Sequence, residues 1–370
     1  MKEAILRIVG EGQVAIGIGP MSRRCVDAVY RYSNDNAQPI MLIASRRQVE
    51  CEKLGRGYVN SWTTEEFGKY CARLKAEFPN SQVFLCRDHG GPWQGSGEEG
   101  MDLEQAMERA EKSFEADILS GFDLLHVDPS LCRDGNVSTR AVLENTARLL
   151  RHCDRFAKTH EMAIEYEIGT EENIGTITTP ESFSQLVGGI AAVCARDGIS
   201  KPIFVVGQTN SLVKEMRQIG EFNSKNTMML MNAAASHGFL LKEHNADYLS
   251  EYQFKQRLAA RLPAMNVAPE FGVLESQAFV AFCLKNGHAD EVDRFLRLSL
   301  ESGKWRKWLI NPDYVSDYDK AIISGHYVFG QPEFMEICRG IDDIKLEKEI
   351  TGVLGARLDF YFKRYGRKLS

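Results

Sequence analysis

Long apolar runs are missing from this sequence, which bears on membrane association. No window of the 370-residue chain reaches the roughly 18 apolar residues that a membrane-spanning helix needs. Residues 1–6 also lack the extended apolar stretch and the small-residue cleavage site of a signal peptide. We therefore expect a cytoplasmic protein that does not contact membranes.

Paired cysteines and an excess of positive charge are absent as well. The nine cysteines are an odd number and are scattered along the chain, which indicates reduced thiols. They include no C-x-x-C pair, so the sequence lacks the signature of a zinc ribbon or a redox motif. The net charge is -6 and the pI is about 5.9. Nucleic-acid binders concentrate lysine and arginine, so no nucleic-acid partner is expected, and the short basic segment 363–368 is interpreted as a solvated terminus.

Short apolar segments alternate with segments of helical periodicity along most of the chain. The predicted strands are residues 13–18, 39–44, 81–86, 124–128, 162–168, 202–206, 238–242 and 263–267. Thr63 and Glu66 form a capping-box pattern that predicts the start of a helix. An uninterrupted series of eight strand-then-helix units favours an α/β fold of the (β/α)8 (TIM) barrel type over an open doubly wound sheet. The first strand also lacks the third glycine of the dinucleotide motif G-x-G-x-x-G.

The sequence changes in character after about residue 286, where residues 290–300 and 346–361 are amphipathic and helical in pattern. We therefore predict a barrel over residues 1–286 and a helical extension over residues 287–370 that packs on the barrel. Trp305 and Trp308 are expected to pack this extension rather than to bind a ligand.

Polar side chains mark the ends of the predicted strands, which is where this barrel class places its active sites. The residues at these positions are Asp88, His89, His126, Asp128, Ser130, Glu165, Glu167, Gln208, His244, Asn245 and Asn266. Imidazole and carboxylate groups are common ligands of zinc-like ions, so His89, Glu167 and His244 form a candidate metal set. Asp88 is then available for proton transfer.

A single histidine or glutamate at a strand end is more often a hydrogen-bonded structural residue than a ligand. We prefer that interpretation for His126 and Glu165 taken individually, although His126 shares a strand face with Asp128, and Glu165 shares one with Glu167. The histidines on predicted helices or in the extension are also interpreted as structural, namely His152, His160, His288 and His326.

Several of these motifs resemble those of the class II, divalent-metal-dependent ketose-bisphosphate aldolases. The resemblance is strongest to the accessory, or non-catalytic, subunits of tagatose-bisphosphate aldolase and to their tagatose and tagaturonate epimerase relatives, and it covers residues 10–285. Residues 88–92 resemble the segment D-H-x-G-P, residues 121–130 the strand G-F-x-x-I-H-x-D-x-S, residues 168–171 the motif I-G-T-E, and residues 165–169 the motif E-x-E-L-G.

The resemblance implies roles for individual residues. Asp88 would be the acid/base, His89 and His244 metal ligands, and Glu167 the carboxylate near the metal, which is expected to be zinc. The metal would polarise the carbonyl of a sugar or sugar phosphate and stabilise an enediolate while the acid moves a proton. The residues expected to bind substrate are Asp128, Ser130, Gln208, Asn245 and Asn266.

The sequence departs from the catalytic aldolases at two positions. Gln208 stands at the end of strand six, where those enzymes carry a further metal histidine, and strand seven is followed by residues 244–247 without a glycine-rich phosphate loop. One hypothesis is a metal-dependent enzyme that cleaves or epimerises a ketose or ketose phosphate. Another is a non-catalytic partner that stabilises a separate aldolase subunit, and a third is an unrelated barrel of the xylose-isomerase type. We expect a homo- or hetero-oligomer.

Overall fold

The structure is a computed structural model that describes residues 1–131, 138–169 and 179–362. Three features of the sequence lie outside the described residues. They are Cys132, the last two residues of the I-G-T-E motif (Thr170 and Glu171), and the basic segment 363–368.

Eight of the described strands close into a parallel barrel. In chain order the strands are β1 (Ala15–Ile18), β2 (Pro39–Ser45), β3 (Gln82–Gly90), β4 (Leu124–Val127), β5 (Glu165–Ile168), β6 (Phe204–Val206), β7 (Val213–Lys214), β8 (Arg217–Gln218), β9 (Leu240–Glu243) and β10 (Ala264–Val267). The barrel order is β1-β10-β9-β6-β5-β4-β3-β2, closed by pairing of β1 with β2, while β7 and β8 form a separate antiparallel hairpin. The predicted (β/α)8 barrel is therefore confirmed.

Helices surround the barrel and continue beyond it. The barrel helices are α1 (Lys2–Gly10), α2 (Arg23–Asn36), α3 (Thr64–Glu77), α4 (Leu103–Leu119), α5 (Thr139–Thr159), α6 (Pro180–Asp197), α7 (Ser224–Ser236), α8 (Glu251–Ala259) and α9 (Pro269–Lys285). The later helices are α10 (Ala289–Glu301), α11 (Asp317–Ser324), α12 (Pro332–Cys338) and α13 (Asp343–Phe362). Helix α3 begins at the predicted capping box of Thr63 and Glu66. Within the described ranges, no helix combines the length and the apolar character needed to cross a membrane.

Helix α1 covers the N-terminal end of the barrel, a feature that we did not predict from sequence. Its buried residues Ile5 and Ile8 belong to an apolar cluster in the barrel interior. The strand residues of this cluster are Ala15, Met41, Ile43, Cys86, Leu124, Phe204 and Ala264. Because this end of the barrel is filled by apolar side chains, a polar site can form only toward the opposite, C-terminal end.

Helix α13 presents one apolar face to the barrel helices. Its buried residues Leu346, Ile350, Leu354 and Leu358 recur every four positions and share a core with residues of α2 and α9. The apolar core therefore continues from the barrel into the C-terminal helices. The division of the chain at residue 286 stays a prediction.

Candidate active site

A bulge at the end of β3 turns two consecutive side chains toward the barrel mouth. The pairing of β3 with β4 shifts register between Arg87 and Gly90, and His89 has a positive φ of 44°. Neighbouring side chains on a regular strand point to opposite faces, whereas an inserted residue redirects one of them. Asp88 and His89 consequently both contact groups at the C-terminal end of the barrel.

The two glycines that follow allow β3 to lie close to β4. A Cβ atom on Gly90 would lie 2.4 Å from the ring of Phe114 in α4 and 2.9 Å from the carbonyl oxygen of His126 in β4, and one on Gly91 would lie 2.2 Å from the carbonyl oxygen of Asp128. Neither position has room for a side chain, so these glycines are required by the close approach of the two strand ends.

Three histidine rings meet at this mouth. The ring centroids of His89, His126 and His244 lie 5.1 Å (His89 to His126), 5.0 Å (His89 to His244) and 5.2 Å (His126 to His244) apart. His126 is 1% exposed, and its Nδ1 accepts a hydrogen bond of 3.1 Å from the backbone N–H of His89. From the sequence we preferred a structural role for His126 taken individually, and we did not predict this cluster. One sequence signal pointed to the cluster. His126 and Asp128 share a face of the predicted strand 124–128, and this strand follows Asp88 and His89 in the chain.

Two overlapping groups of side chains have the spacing of cation ligands. One comprises Asp88, His126 and His244, and the other comprises His89, His126 and Asp128. In the first group, Oδ1 of Asp88 lies 3.6 Å from Nδ1 of His126 and 4.0 Å from Nε2 of His244. Oε1 of Glu167 lies 3.1 Å from Nε2 of His244 and 3.8 Å from Nδ1 of His126. Imidazole nitrogens and carboxylate oxygens at such spacings suit a divalent ion such as zinc.

The polar atoms of the first group fit a bound cation better than they fit one another. Nε2 of His244 lies 3.1 Å from both Oε1 of Glu167 and Nδ2 of Asn266. One nitrogen cannot donate to a carboxylate and also accept from an amide, but a cation that takes its lone pair removes the conflict. Oδ1 of Asn266 and Nε2 of His126 are buried and have no hydrogen-bond partner among the described residues.

The charges of the mouth are strongly coupled. Burial opposes ionisation of Asp88, but the positive charge of His89, together with the neighbouring rings of His126 and His244, outweighs it and holds the pKa of Asp88 well below its usual range. Burial also disfavours the charged form of His89, yet Asp88 and Asp128 raise the pKa of His89 to about 9. Burial lowers the pKa of His244. Asp88 is therefore a carboxylate at neutral pH, next to the charged imidazole of His89 and the neutral imidazole of His244.

A buried lysine, Lys242, accompanies Glu167. We did not include it among the candidate site residues because it is the last residue of the predicted strand 238–242. Nζ of Lys242 lies 2.6 Å from Oε2 of Glu167, and both side chains are 1% exposed. Burial would raise the pKa of Glu167, but Lys242 and the neighbouring histidines lower it to about 2. One carboxylate oxygen is thus held by Lys242, while the other faces His244.

The residues predicted to bind substrate occupy different surroundings. Asp128 accepts hydrogen bonds from His89 (2.6 Å), Gln94 (3.1 Å) and the hydroxyl of Ser130. Asn245 donates to the carbonyl oxygen of Ser211 at 3.3 Å, in the loop after β6. Gln208 is buried in the same loop, two residues beyond β6. The structure thus joins Asp88, His89, His126, Asp128, Glu167, His244 and Asn266 in one cluster. Their roles stay predictions.

The fold and the polar mouth define a (β/α)8-barrel protein with a candidate site at the C-terminal ends of its strands. Within that class, the chain belongs to the D-tagatose-1,6-bisphosphate aldolase subunit GatZ/KbaZ-like family, whose sequence model matches residues 15–286. The resemblance noted in the motifs is therefore confirmed.

One curated relative is the D-tagatose-1,6-bisphosphate aldolase subunit GatZ of Klebsiella oxytoca. The two proteins are 29% identical over 126 residues, which is 32% of this chain and 28% of that protein. The similarity thus extends over less than a third of the relative's length.

Solved structures share the fold over nearly the whole chain. A probable tagatose 6 phosphate kinase from Sinorhizobium meliloti 1021 has a TM-score of 0.75 at 18% identity, covering 95% of this chain and 99% of that one. The fructose-bisphosphate aldolase of Campylobacter jejuni has a TM-score of 0.59 at 12% identity, with coverages of 98% and 92%. The YdjI aldolase of Escherichia coli K12 has a TM-score of 0.54 at 12% identity, with coverages of 98% and 96%. At these identities the likeness shows the fold alone.

Proposed function

We propose that this protein is a divalent-metal-dependent enzyme that acts on a ketose or ketose phosphate. The reaction is retro-aldol cleavage, or an epimerisation that proceeds through the same bond cleavage. The observation that carries this proposal is the convergence of the Asp88 carboxylate with ring nitrogens of His126 and His244, 3.6 Å and 4.0 Å away, in the mouth of a barrel of an aldolase-subunit family.

The chain offers ligands for a metal at this position. Asp88, His126 and His244 would hold the ion, with Nδ1 of His126 giving up the hydrogen bond that it accepts from the backbone N–H of His89. Oε1 of Glu167 faces the same nitrogen of His244. A bound divalent cation supplies a Lewis acid for the substrate carbonyl, and zinc is the ion that we propose for this set of nitrogen and oxygen donors. The set predicted from sequence, His89, Glu167 and His244, shares His244 with this arrangement.

Asp88 is the group proposed to move the proton. The low pKa keeps Asp88 ionised at neutral pH, and its second oxygen, Oδ2, is then the atom that would accept the proton of the substrate hydroxyl next to the bond that breaks, because Oδ1 faces His126 and His244. The hydroxyl oxygen then becomes the carbonyl oxygen of one fragment, and the electron pair of the broken carbon–carbon bond passes to the other. Protonated Asp88 returns the proton to that carbon in cleavage, whereas in epimerisation the bond forms again on the other face of the new carbonyl.

Other side chains of the mouth would orient the substrate. The amide of Asn266 lies 3.3 Å from Oδ1 of Asp88, so a hydroxyl held by this amide would lie beside the proton acceptor. Asp128 is fixed by His89 and Ser130, which leaves it pre-organised to accept a hydrogen bond from a second hydroxyl. Both contributions lower the cost of bringing the reacting groups together.

Turnover by a variant that lacks the Asp88 carboxylate tests the proposal. We expect the protein to convert a ketohexose phosphate or ketohexuronate, and Asp88→Asn to lower kcat about 100-fold or more because a carboxamide cannot take up the proton. The matched control is Asp290→Asn, an exposed change on α10 that should leave turnover intact. Equal turnover by Asp88→Asn and the original protein would exclude the proposed role of Asp88.

A second candidate function is that of a non-catalytic subunit that stabilises a separate aldolase. It is favoured by Gln208, which stands where the resemblance places a metal histidine, and by the curated relative, which is itself named a subunit. Under this alternative the protein alone turns over no sugar but raises the activity or thermal stability of a co-expressed aldolase. A cytoplasmic location belongs to both proposals and accords with the free state of the eight described cysteines.

A further inference from the structure

A cleft of about 260 Å³ lies between the start of α2, helix α9 and the C-terminal helices. Its polar groups include Ser22 and Arg24 at the start of α2 and Glu275 of α9, and its apolar walls include Phe329 and Phe334. A water molecule occupies about 30 Å³ in the liquid, so the cleft has room for a small organic molecule. Its described lining residues include none of the candidate metal ligands, which makes it separate from the barrel mouth.

Glu275 is the buried acid of this cleft. Its side chain is 1% exposed, and Oε2 accepts a hydrogen bond from the hydroxyl of Ser22. The other oxygen, Oε1, is buried and has no hydrogen-bond partner among the described residues. Nη1 of Arg24 lies 3.9 Å from Oε1, which is beyond hydrogen-bond distance. Buried polar atoms nearly always have a partner, so Oε1 marks the place of a donor from outside the described chain.

Each of the three arginines that line the cleft has a carboxylate partner other than Glu275. The pairs are Arg23 with Asp27 (3.2 Å), Arg24 with Asp343 (2.7 Å) and Arg339 with Glu336 (2.7 Å). A buried carboxylate that lacks a close cation is unfavourable, and burial accordingly raises the pKa of Glu275. The negative charge of Glu275 is therefore only partly balanced within the described ranges.

Two other buried glutamates of the chain are closely paired. Oε1 of Glu98 lies 2.6 Å from Nη2 of Arg46, and Oε1 of Glu243 lies 2.8 Å from Nη2 of Arg257. In both pairs the guanidinium supplies a hydrogen bond and a positive charge at the same time. Oε1 of Glu275 receives neither at that distance, so a ligand that brings both would gain more free energy here than at the other two glutamates.

The remaining walls of the cleft suit an apolar body that carries one positive charge. The rings of Phe329 and Phe334 lie 5.1 Å apart, and Met21 adds a buried apolar side chain. Aromatic faces attract cations, and apolar walls bind an alkyl chain. Burial lowers the pKa of His326, which also lines the cleft, to about 3, so its ring adds no positive charge that would repel a cation.

We propose that this cleft binds a small aliphatic primary amine, with the ammonium group at Oε1 of Glu275 and the alkyl chain against Phe329 and Phe334. An ammonium group supplies N–H donors together with a positive charge, whereas a hydroxyl supplies a donor without the charge. Because the cleft lies between barrel helices and α12, a bound amine would stabilise the packing of the C-terminal helices on the barrel. The inference does not depend on the reaction proposed for the Asp88 site.

Calorimetric titration of the purified protein with n-butylammonium at neutral pH tests the site. The neutral counterpart of the same length is n-butanol, and we expect n-butylammonium to bind about tenfold or more tightly than n-butanol. Equal affinities would assign the cleft to apolar contacts alone and overturn the inference, as would an absence of n-butylammonium binding. A crystal structure grown with n-butylammonium should show its nitrogen at Oε1 of Glu275, and water alone at that atom would likewise overturn the inference.

Two variants assign the binding to Glu275. Glu275→Gln keeps the shape of the side chain and removes its charge, so n-butylammonium should bind about tenfold or more weakly, whereas Glu251→Gln, the same change at an exposed position of α8, should leave binding unchanged. Met335 lines the cleft but is 63% exposed, so Met335→Lys adds a repelling charge without altering the core and should weaken binding about threefold or more.

Met228→Lys, on the exposed surface of α7, is the control for the added charge and should bind n-butylammonium as the original protein does. Unchanged affinity in a folded Glu275→Gln variant would overturn the inference. If Glu275→Gln does not fold, unchanged affinity in Met335→Lys would overturn it instead.

Discussion

Lys242 and Glu167 form an ion pair inside the barrel, with Nζ and Oε2 separated by 2.6 Å and both side chains 1% exposed. The ammonium also lies 5.1 Å from the ring of Phe204. The pair sits directly beneath the histidine cluster, since the second oxygen of Glu167 is 3.1 Å from Nε2 of His244. Lys242 therefore keeps Glu167 ionised and fixes the orientation of its carboxylate next to Nε2 of His244.

Removal of the lysine should destabilise the protein strongly. In Lys242→Met the carboxylate of Glu167 is left buried without its cation, and we expect a loss of about 3–5 kcal/mol in the free energy of unfolding. Unfolding in urea, followed by circular dichroism, measures this loss. Lys158→Met removes the lysine of an ion pair with Asp154 on the surface of α5 and should cost less than about 1 kcal/mol.

The double variant Lys242→Met/Glu167→Leu distinguishes an unpaired charge from a simple packing defect. Replacement of both partners by apolar residues removes the buried charge, so this variant should recover most of the stability that Lys242→Met loses. A double variant that is less stable than Lys242→Met would show that the ion pair itself, rather than the isolated carboxylate, accounts for the effect.

The close approach of β3 and β4 predicts a second effect on stability. In Gly91→Ala the new Cβ would lie 2.2 Å from the carbonyl oxygen of Asp128, so the strand ends must separate, at a cost of about 1–3 kcal/mol. Thermal unfolding measures the change. Gly100→Ala is the matched control, because no heavy atom of the described residues lies within 4 Å of a Cβ at that position. Equal melting temperatures for the two variants would contradict the packing seen at Gly91.

The position of the strands followed from local sequence. An apolar run bounded by turn residues is a local signal, and the predicted strand 39–44 became β2 (Pro39–Ser45), while the predicted strand 263–267 became β10 (Ala264–Val267). Because barrel strands all end at one mouth, the residues at the strand ends also predicted that Asp88 and His244 lie near each other.

The roles within the mouth depend on contacts between distant strands, which no local pattern records. Lys242 ended a predicted strand and was not among the candidate site residues, yet it neutralises Glu167, 75 residues earlier in the chain. His126 looked like a lone strand histidine because its proximity to His244 arises only when the barrel closes.

Acid sensitivity should depend on His326, whose ring is buried between the barrel and the C-terminal helices. Neither ring nitrogen has a hydrogen-bond partner among the described residues, and burial lowers the pKa of His326 to about 3. Between the ordinary histidine pKa of about 6.5 and this value, the unfolded chain takes up a proton that the folded chain does not. His326 alone should therefore lower the free energy of unfolding by about 1.4 kcal/mol for each unit that the pH decreases in this window.

The variant His326→Phe keeps a ring of similar shape and cannot be protonated. Its free energy of unfolding, measured in urea at pH 6.5 and pH 4.5, should fall less steeply with decreasing pH than that of the original protein. Other titrating groups contribute equally to both proteins, so the difference in slope isolates His326. Identical slopes would show that His326 does not titrate between the folded and unfolded states in this range.

The metal content of the purified protein tests the central claim most directly. Elemental analysis should find about one divalent ion per chain, lost in His126→Ala, which removes a ring nitrogen 3.6 Å from the Asp88 carboxylate. The ion should be retained in His152→Ala, which alters a histidine of α5 bonded to Glu115 away from the mouth. A protein that binds no divalent ion, or that binds it equally well after His126→Ala, would contradict a metal site formed by Asp88, His126 and His244.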